Sequence, residues 1–359
     1  MRKPTLAGAV FAVAAMLPGA IGAGTGRPTV AEMNQLLGPE AREQRHVHGA
    51  VEVRVIGEGA GRVYLFLPSS PRLSGKVPVV LFHHGWQGMN PKNFGGWIDH
   101  LTRSGQVVVY PVYQESEKTS PQIVTEAAGW ADKRGLDALA KERLEIDPER
   151  VVYFGYSMGA AISINLALNP ERFGLPAPRA MMLAAPGDAH HVVHGPESKS
   201  IIGPIKELPP TLPVAVLTGE ADTDIGLPTA RLVFKQMCGI QPDRRVLMIL
   251  PSDQNNGNRV NAAHGSPGAP DSRYDFALTR RSFPGQIGGR KGFEESPSMN
   301  QLDFFGYWKT LDALIDDAAP RNLPSVVFGQ GTAEQLFLGT WPDGTPFKKI
   351  RLENPCPAR

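Results

Sequence analysis

Residues 150–168, RVVYFGYSMGAAISINLAL, constrain this chain more tightly than any other stretch. Residues 151–154 are β-branched and aromatic, the composition of a buried strand. The run stops at Gly155-Tyr156-Ser157-Met158-Gly159, and residues 160–168 then repeat apolar side chains at helical spacing. A serine wedged between a strand end and a helix start sits in a crowded, strained turn. Such a turn requires that the residues two positions before and after it carry no side chain. The turn also leaves Ser157 at the N-terminus of the helix, where free N–H groups and the helix dipole favour developing negative charge. The stretch therefore predicts strand, tight turn and helix, and it names Ser157 as a candidate nucleophile.

The rest of the pattern repeats strand and helix in alternation. Residues 51–56 and 62–67, separated by a Gly-rich turn at 57–61, read as an antiparallel pair. Residues 77–82 are an apolar run of the kind covered on both faces, with Pro78 expected near its first residue, where a strand tolerates proline. Further apolar runs lie at 107–110, 179–185, 213–217 and 245–250. Helical spacing is expected at 91–104, 122–143, 228–237 and 302–318, and a short helix at 30–37. Strands alternating with helices imply an α/β fold, with a mostly parallel central sheet and helices on both faces. Between the 179–185 run and the one at 213, the chain is broken by Pro186, Gly187, Gly195, Pro196, Gly203, Pro204, Pro209 and Pro210. No large cap domain fits there. Residues 251–297 are rich in Gly, Pro, Asn, Asp and Arg without a sustained period, a long loop of the functional kind. A hairpin is expected around Pro342-Asp343-Gly344.

Composition excludes more than it selects. With 37 Lys and Arg against 35 Asp and Glu, the chain has no basic excess to suggest a nucleic-acid partner. Residues 1–23 read as an export signal: Arg2 and Lys3 precede an apolar run at 6–17, and Ala20-Ile21-Gly22-Ala23 resembles a cleavage region. That run is too short to span a bilayer, so no stable membrane insertion is expected once it is removed. The predicted compartment is periplasmic or extracellular. Cys238 and Cys356 are the only cysteines, so an oxidising compartment permits one pairing, Cys238 with Cys356. The alternative is two free thiols.

A serine nucleophile needs a base, and the base needs an orienting acid. In an open α/β sheet such groups collect at the carboxyl ends of strands. After the 213–217 run comes Thr218-Gly219-Glu220-Ala221-Asp222-Thr223-Asp224, and after the 245–250 run comes the loop holding His264. Asp222 competes with Asp224 and with Asp188, which follows the 179–185 run. His190, His191 and His194 lie too early to follow the last strand. The residue after the nucleophile, Met158, supplies one backbone N–H for an oxyanion. No ligand spacing for a metal and no Gly-rich nucleotide motif is present, so neither metal nor cofactor is expected.

Read together, GYSMG, the HHGWQG after the third strand, GEADTD and AAHGSP resemble the α/β-hydrolase superfamily over about residues 50–318. The likeness is to its lidless branch of dienelactone-hydrolase-like, chlorophyllase-like and cutinase-like esterases. That resemblance implies an α/β-hydrolase fold and a triad in the chain order Ser157, Asp222, His264. It also implies a second oxyanion donor at Trp86. The chain departs from dienelactone hydrolases in carrying serine rather than cysteine, and from the branch generally in its long stretch after His264.

The expected organisation is an export segment (1–23), a polar N-terminal segment (24–50), a catalytic domain (51–318) and a C-terminal tail (319–359). The expected activity is hydrolysis of a small-molecule or polymeric carboxylic ester through an acyl-enzyme. A serine peptidase or acyltransferase with the same triad is the alternative within enzymes. From another class, the alternative is a non-catalytic binding protein on a hydrolase scaffold.

Overall fold

The structure is a computed structural model that describes residues 38–195, 198–276, 299–317 and 325–356. The expected export segment, the helix at 30–37 and the 277–297 part of the long loop lie outside the described residues.

Apolar runs with both faces covered form the sheet. Its strands are β1 (Ala50–Ile56), β2 (Val63–Ser69), β3 (Gly75–His83), β4 (Val107–Pro111), β5 (Leu144–Tyr156), β6 (Ala180–Ala184), β7 (Val214–Gly219) and β8 (Arg245–Leu250). A further hairpin of β9 (Asp253–Asn255) and β10 (Asn258–Val260) stands apart, and β11 (Arg351–Glu353) closes the sheet's far edge. The order is β1-β2-β4-β3-β5-β6-β7-β8-β11. Strands β3 to β8 run parallel, while β1, β2 and β11 pair antiparallel with their neighbours. This is the α/β-hydrolase fold.

Side chains along the strands alternate between two cores, as the two-residue strand period requires. Phe66, Val80, Phe82, Val108, Tyr110, Val152 and Phe154 face one core with Trp97 and Leu101 of α2 (Gly95–Arg103; the numbering follows α1, Pro39–Arg45). Leu65, Val79, Leu81, Val109, Val151 and Tyr153 face the other, beneath α3 (Val124–Leu139), α4 (Met158–Leu168) and α5 (Gly226–Gln236). The α4 helix is apolar nearly all round because it is buried on almost every side.

Several expectations are corrected. Pro78 is not at a strand start: β3 begins at Gly75, and Pro78 falls where the register slips between the pairs Val77–Ile146 and Val79–Val151. An irregularity is where a residue without an N–H costs the ladder least. The predicted 302–318 helix is a π-helix at Leu302–Trp308 continuing into α6 (Lys309–Asp317), and the Thr310 hydroxyl donates to the Gly306 carbonyl. The tail hairpin reduces to a tight turn, with Gly344 N–H donating to Trp341 O and a single bridge between Thr340 and Pro346. What docks the tail is β11, which pairs with β8, together with a disulfide between Cys238 and Cys356. Between residues 186 and 212 the described chain forms short 3-10 turns, among them Ala189–His191 and Ile205–Glu207. No helix among the described residues is long and apolar enough to cross a membrane.

Candidate active site

The site grows from the turn between β5 and α4. Ser157 has φ +52° and ψ −121°, outside the regions that L-residues favour. Its backbone is tied on both sides: Ser157 N–H donates to Ala184 O, and Ser157 O accepts from Ala160 and Gly187 N–H. A Cβ on Gly155 would collide with the backbone of Gly159, and one on Gly159 with that of His83. The glycines of the pentapeptide are thus a packing requirement between β3, β5 and α4. Beneath them lies a fully buried polar link. His83 sits 2.9 Å from Asp132 Oδ2 on α3 and 2.7 Å from Ser163 Oγ on α4, joining the end of β3 to both helices. Burial raises the pKa of the Asp132 carboxyl, while the His83 partner works against that rise.

At the strand ends the chain brings together residues far apart in sequence. Ser157 Oγ lies 2.9 Å from His264 Nε2, and His264 Nδ1 lies 2.7 Å from Asp222 Oδ2. A carboxylate only accepts, so Nδ1 carries the proton and donates to Asp222, leaving Nε2 as acceptor for the serine hydroxyl. All three are nearly excluded from solvent, at 9% exposure for Ser157, 4% for His264 and 3% for Asp222.

Two loops are stitched so that this contact forms. Glu220 N–H donates to Leu250 O and Ala221 N–H to Ala262 O, while the Glu220 carboxylate accepts from Ser252 N–H. The loop after β7 and the loop after β8 are therefore one hydrogen-bonded unit. The His264 loop is held from three further sides. Tyr156 OH donates to His264 O at 3.0 Å, Trp97 Nε1–H donates to Pro267 O at 2.8 Å, and the Ser266 and Tyr307 hydroxyls bond at 2.8 Å. Burial raises the Tyr156 pKa strongly, so it stays a donor.

The rivals stand elsewhere. Asp224 is exposed and its carboxylate accepts from the Thr223 hydroxyl. Asp188 is buried, but its Oδ1 accepts from Ala189 and Ile201 N–H, which fixes the turn after β6. His191 Nδ1 accepts from Asp188 N–H, and burial with neighbouring His190 holds its pKa down at about 4. His190 and His194 are exposed.

Two backbone amides complete the site. Met158 N–H is at the first position of α4, and Trp86 N–H is in the turn after β3; neither has an acceptor among the described residues. That turn abuts Ser157, since a Cβ on Gly85 would lie 3.1 Å from Ser157 Cβ. The Trp86 ring packs against the core that also holds Met158. Among the described residues no cluster of three or more His, Cys, Asp or Glu is arranged to hold a metal ion.

Sequence reasoning did not find Gly187, where a Cβ would stand 2.9 Å from Ser157 Oγ, nor Tyr156 and Tyr307, which hold the histidine loop. Gly187 lies three residues past the end of β6, within the strand-end region where such groups collect.

Comparison with known proteins places these features. The Chlorophyllase family model matches residues 50–186, which run from β1 to the turn after β6 and include Ser157 and Trp86 but neither Asp222 nor His264. A search of curated proteins returns no match. Among solved structures, the monoclinic form of a Pyrobaculum calidifontis esterase aligns with 16% identity over 62% of this chain and 84% of its own, with a TM-score of 0.42. By its sheet order and by the turn that carries Ser157, the chain is an α/β-hydrolase-fold protein whose residues 50–186 are similar to the chlorophyllase family.

Proposed function

We propose that this protein is a serine hydrolase of carboxylic esters, acting through Ser157, His264 and Asp222 without a metal or cofactor. The observation that carries this reading is the unbroken line of hydrogen bonds from Ser157 Oγ through His264 to Asp222 Oδ2, at 2.9 and 2.7 Å. The likeness of residues 50–186 to the chlorophyllase family favours an ester as the substrate.

In this reading Ser157 Oγ attacks the ester carbonyl carbon as its proton passes to His264 Nε2. The imidazolium formed is stabilised by Asp222, which keeps its charge. The carbonyl oxygen becomes an oxyanion and accepts hydrogen bonds from the Trp86 and Met158 amides, at the positive end of α4. The tetrahedral intermediate collapses as His264 returns the proton to the leaving alkoxide, releasing the alcohol and leaving the acyl group on Ser157. Water then gives a proton to His264 and attacks the acyl carbon. The second intermediate expels Ser157 Oγ, which regains its proton, and the acid departs.

The substrate is a small-molecule or polymeric ester. The described part of residues 186–212, with its short 3-10 turns, supports a site without a helical cap. Export to an oxidising compartment belongs to the same reading and is supported by the Cys238–Cys356 disulfide and the apolar N-terminal run.

The test is Ser157→Ala assayed on esters of graded acyl length, alongside peptide and amide substrates. Hydrolysis should fall by about four orders of magnitude or more with folding unchanged, and a phosphonate should label the wild type at Ser157 alone. Labelling at another serine, or an active Ala variant, overturns the assignment.

A further inference from the structure

The turn after β3 is held by more side chains than its length requires. Gly85 to Gly88 is a four-residue turn closed by the Gly88 N–H bond to Gly85 O at 3.0 Å. Its third residue, Gln87, has φ +64°, whereas Trp86 is not in the left-handed region. That combination defines a type II turn, whose third position favours glycine. A type I turn differs mainly by a flip of the central peptide, here the one joining Trp86 and Gln87, and it would suit glutamine better. Something must hold that peptide in the form the residue itself disfavours.

Gln114 does so. It follows β4, is 1% exposed, and its Oε1 accepts from Gln87 N–H at 2.8 Å, the amide of the central peptide itself. With Oε1 facing an N–H, the amide orientation is settled by chemistry, because the reverse would set two donors against each other. Three carbonyls of the turn and its approach are held as well. Tyr113 OH donates to His84 O, Tyr110 OH donates to Gly88 O at 2.5 Å, and His84 Nδ1–H donates to Gly85 O at 2.6 Å. The His84 ring stacks on Tyr113 with centroids 4.0 Å apart. Burial holds its pKa down at about 3, so it remains neutral with its proton on Nδ1. After this accounting, Trp86 N–H is the amide among residues 86–88 left without a protein acceptor in the described structure.

We propose that Gln114 is a positioning residue for the oxyanion site, pinning the central peptide of the 85–88 turn so that the Trp86 amide is presented in one geometry. The proposal rests on the reading of Trp86 N–H as an oxyanion donor. Trp86 N–H lies on the preceding peptide and shares the Trp86 Cα with the pinned one, so a turn free to exchange between its two forms would loosen that donor's placement. The deficit would appear in the transition state rather than in ground-state binding.

The test removes the acceptor and then removes the need for it. Gln114→Met keeps the side-chain length but accepts no amide proton, and Gln114→Asn, one methylene shorter, serves as the second variant. Either should lower kcat about tenfold to a hundredfold with KM within about threefold, a share of what losing a whole oxyanion donor costs. Gln87→Gly favours the type II turn without any clamp, so adding it to either variant should raise kcat at least about fivefold. A role in packing alone would not respond to that second change. Wild-type kcat in both single variants overturns the proposal, as does failure of Gln87→Gly to restore either one. Ser157→Ala is measured in parallel: if it retains wild-type hydrolysis, the assignment of the site fails, whereas an inactive Ser157→Ala beside fully active Gln114 variants rejects the Gln114 inference alone.

Discussion

Replacing Gly187 with alanine should slow the reaction at the site without unfolding the protein. Gly187 follows β6, and a Cβ built on it stands 2.9 Å from Ser157 Oγ. Ordinary contact begins near 3.4 Å, so about half an ångström must be found. The methyl group cannot simply lean away, because Ile225 Cγ2 is already at 3.4 Å on another side. Gly187 is not one of the left-handed glycines, so the backbone accepts alanine and the cost is steric. The part with freedom to yield is the Ser157 hydroxyl, which turns about χ1 and leaves its 2.9 Å contact with His264 Nε2. Misplacing a reacting group by about 1 Å costs on the order of a hundredfold, so a shift of about half that predicts roughly a tenfold to hundredfold loss in kcat/KM. Overpacking a tight site costs about 1–3 kcal/mol in stability. The assay pairs kcat/KM on a short-chain p-nitrophenyl ester with the rate of phosphonate labelling and a urea melt. Both rates should fall together while unfolding remains cooperative. Wild-type kcat/KM and an unchanged labelling rate would show that the space over Ser157 is not limiting.

Two further outcomes follow from the tail and the π-helix. The Cys238–Cys356 bridge closes a separation of 118 residues, so replacing both cysteines with serine should lower stability by up to about 4–5 kcal/mol, read from urea melts; an unchanged midpoint counts against a stabilising role. Asp303, fully buried in the π-helix, has its pKa pushed up to about 8 from 3.8, chiefly by desolvation. Because the folded value is the higher one, its contribution to stability is complete below the unfolded pKa and is lost as pH rises from about 4 through about 8. Asp303→Asn, which cannot ionise, should flatten stability across that window, and a slope identical to wild type refutes the assignment.

The parts legible in the sequence are those whose physics is local. The β5–α4 turn was readable because strand composition, two glycines and helical spacing lie within 19 contiguous residues, 150–168. The central strands were readable because burial on both faces demands unbroken apolar runs, as in Val107–Pro111 and Ala180–Ala184. Elements defined by their partners were not. Arg351-Leu352-Glu353 has no strand character of its own and becomes β11 only by pairing with Leu247–Ile249, aided by a disulfide at its end. The start of β5, Leu144–Glu145–Ile146, pairs with Gly75–Val77 of β3, but the mostly polar residues 147–150 interrupt the run and hide its continuity with Val151–Tyr156. The π-helix hides in a sequence of ordinary helical spacing, since one added residue per turn leaves no compositional mark.

The candidate site divides along the same line. Sequence order and the strand-end rule nominate Ser157, Asp222 and His264, but three aspartates were eligible, and only the stitched loops after β7 and β8 bring Asp222 rather than Asp224 or Asp188 to the imidazole. Gly187 over the serine hydroxyl and Gln114 beneath the Gln87 amide are relations between residues 30 and 27 positions apart, respectively, made through space at the ends of neighbouring strands. A sequence records which side chains are available at those ends. Which of them meet depends on the twist, register and loop contacts of the assembled sheet, and these arise only when the whole chain packs.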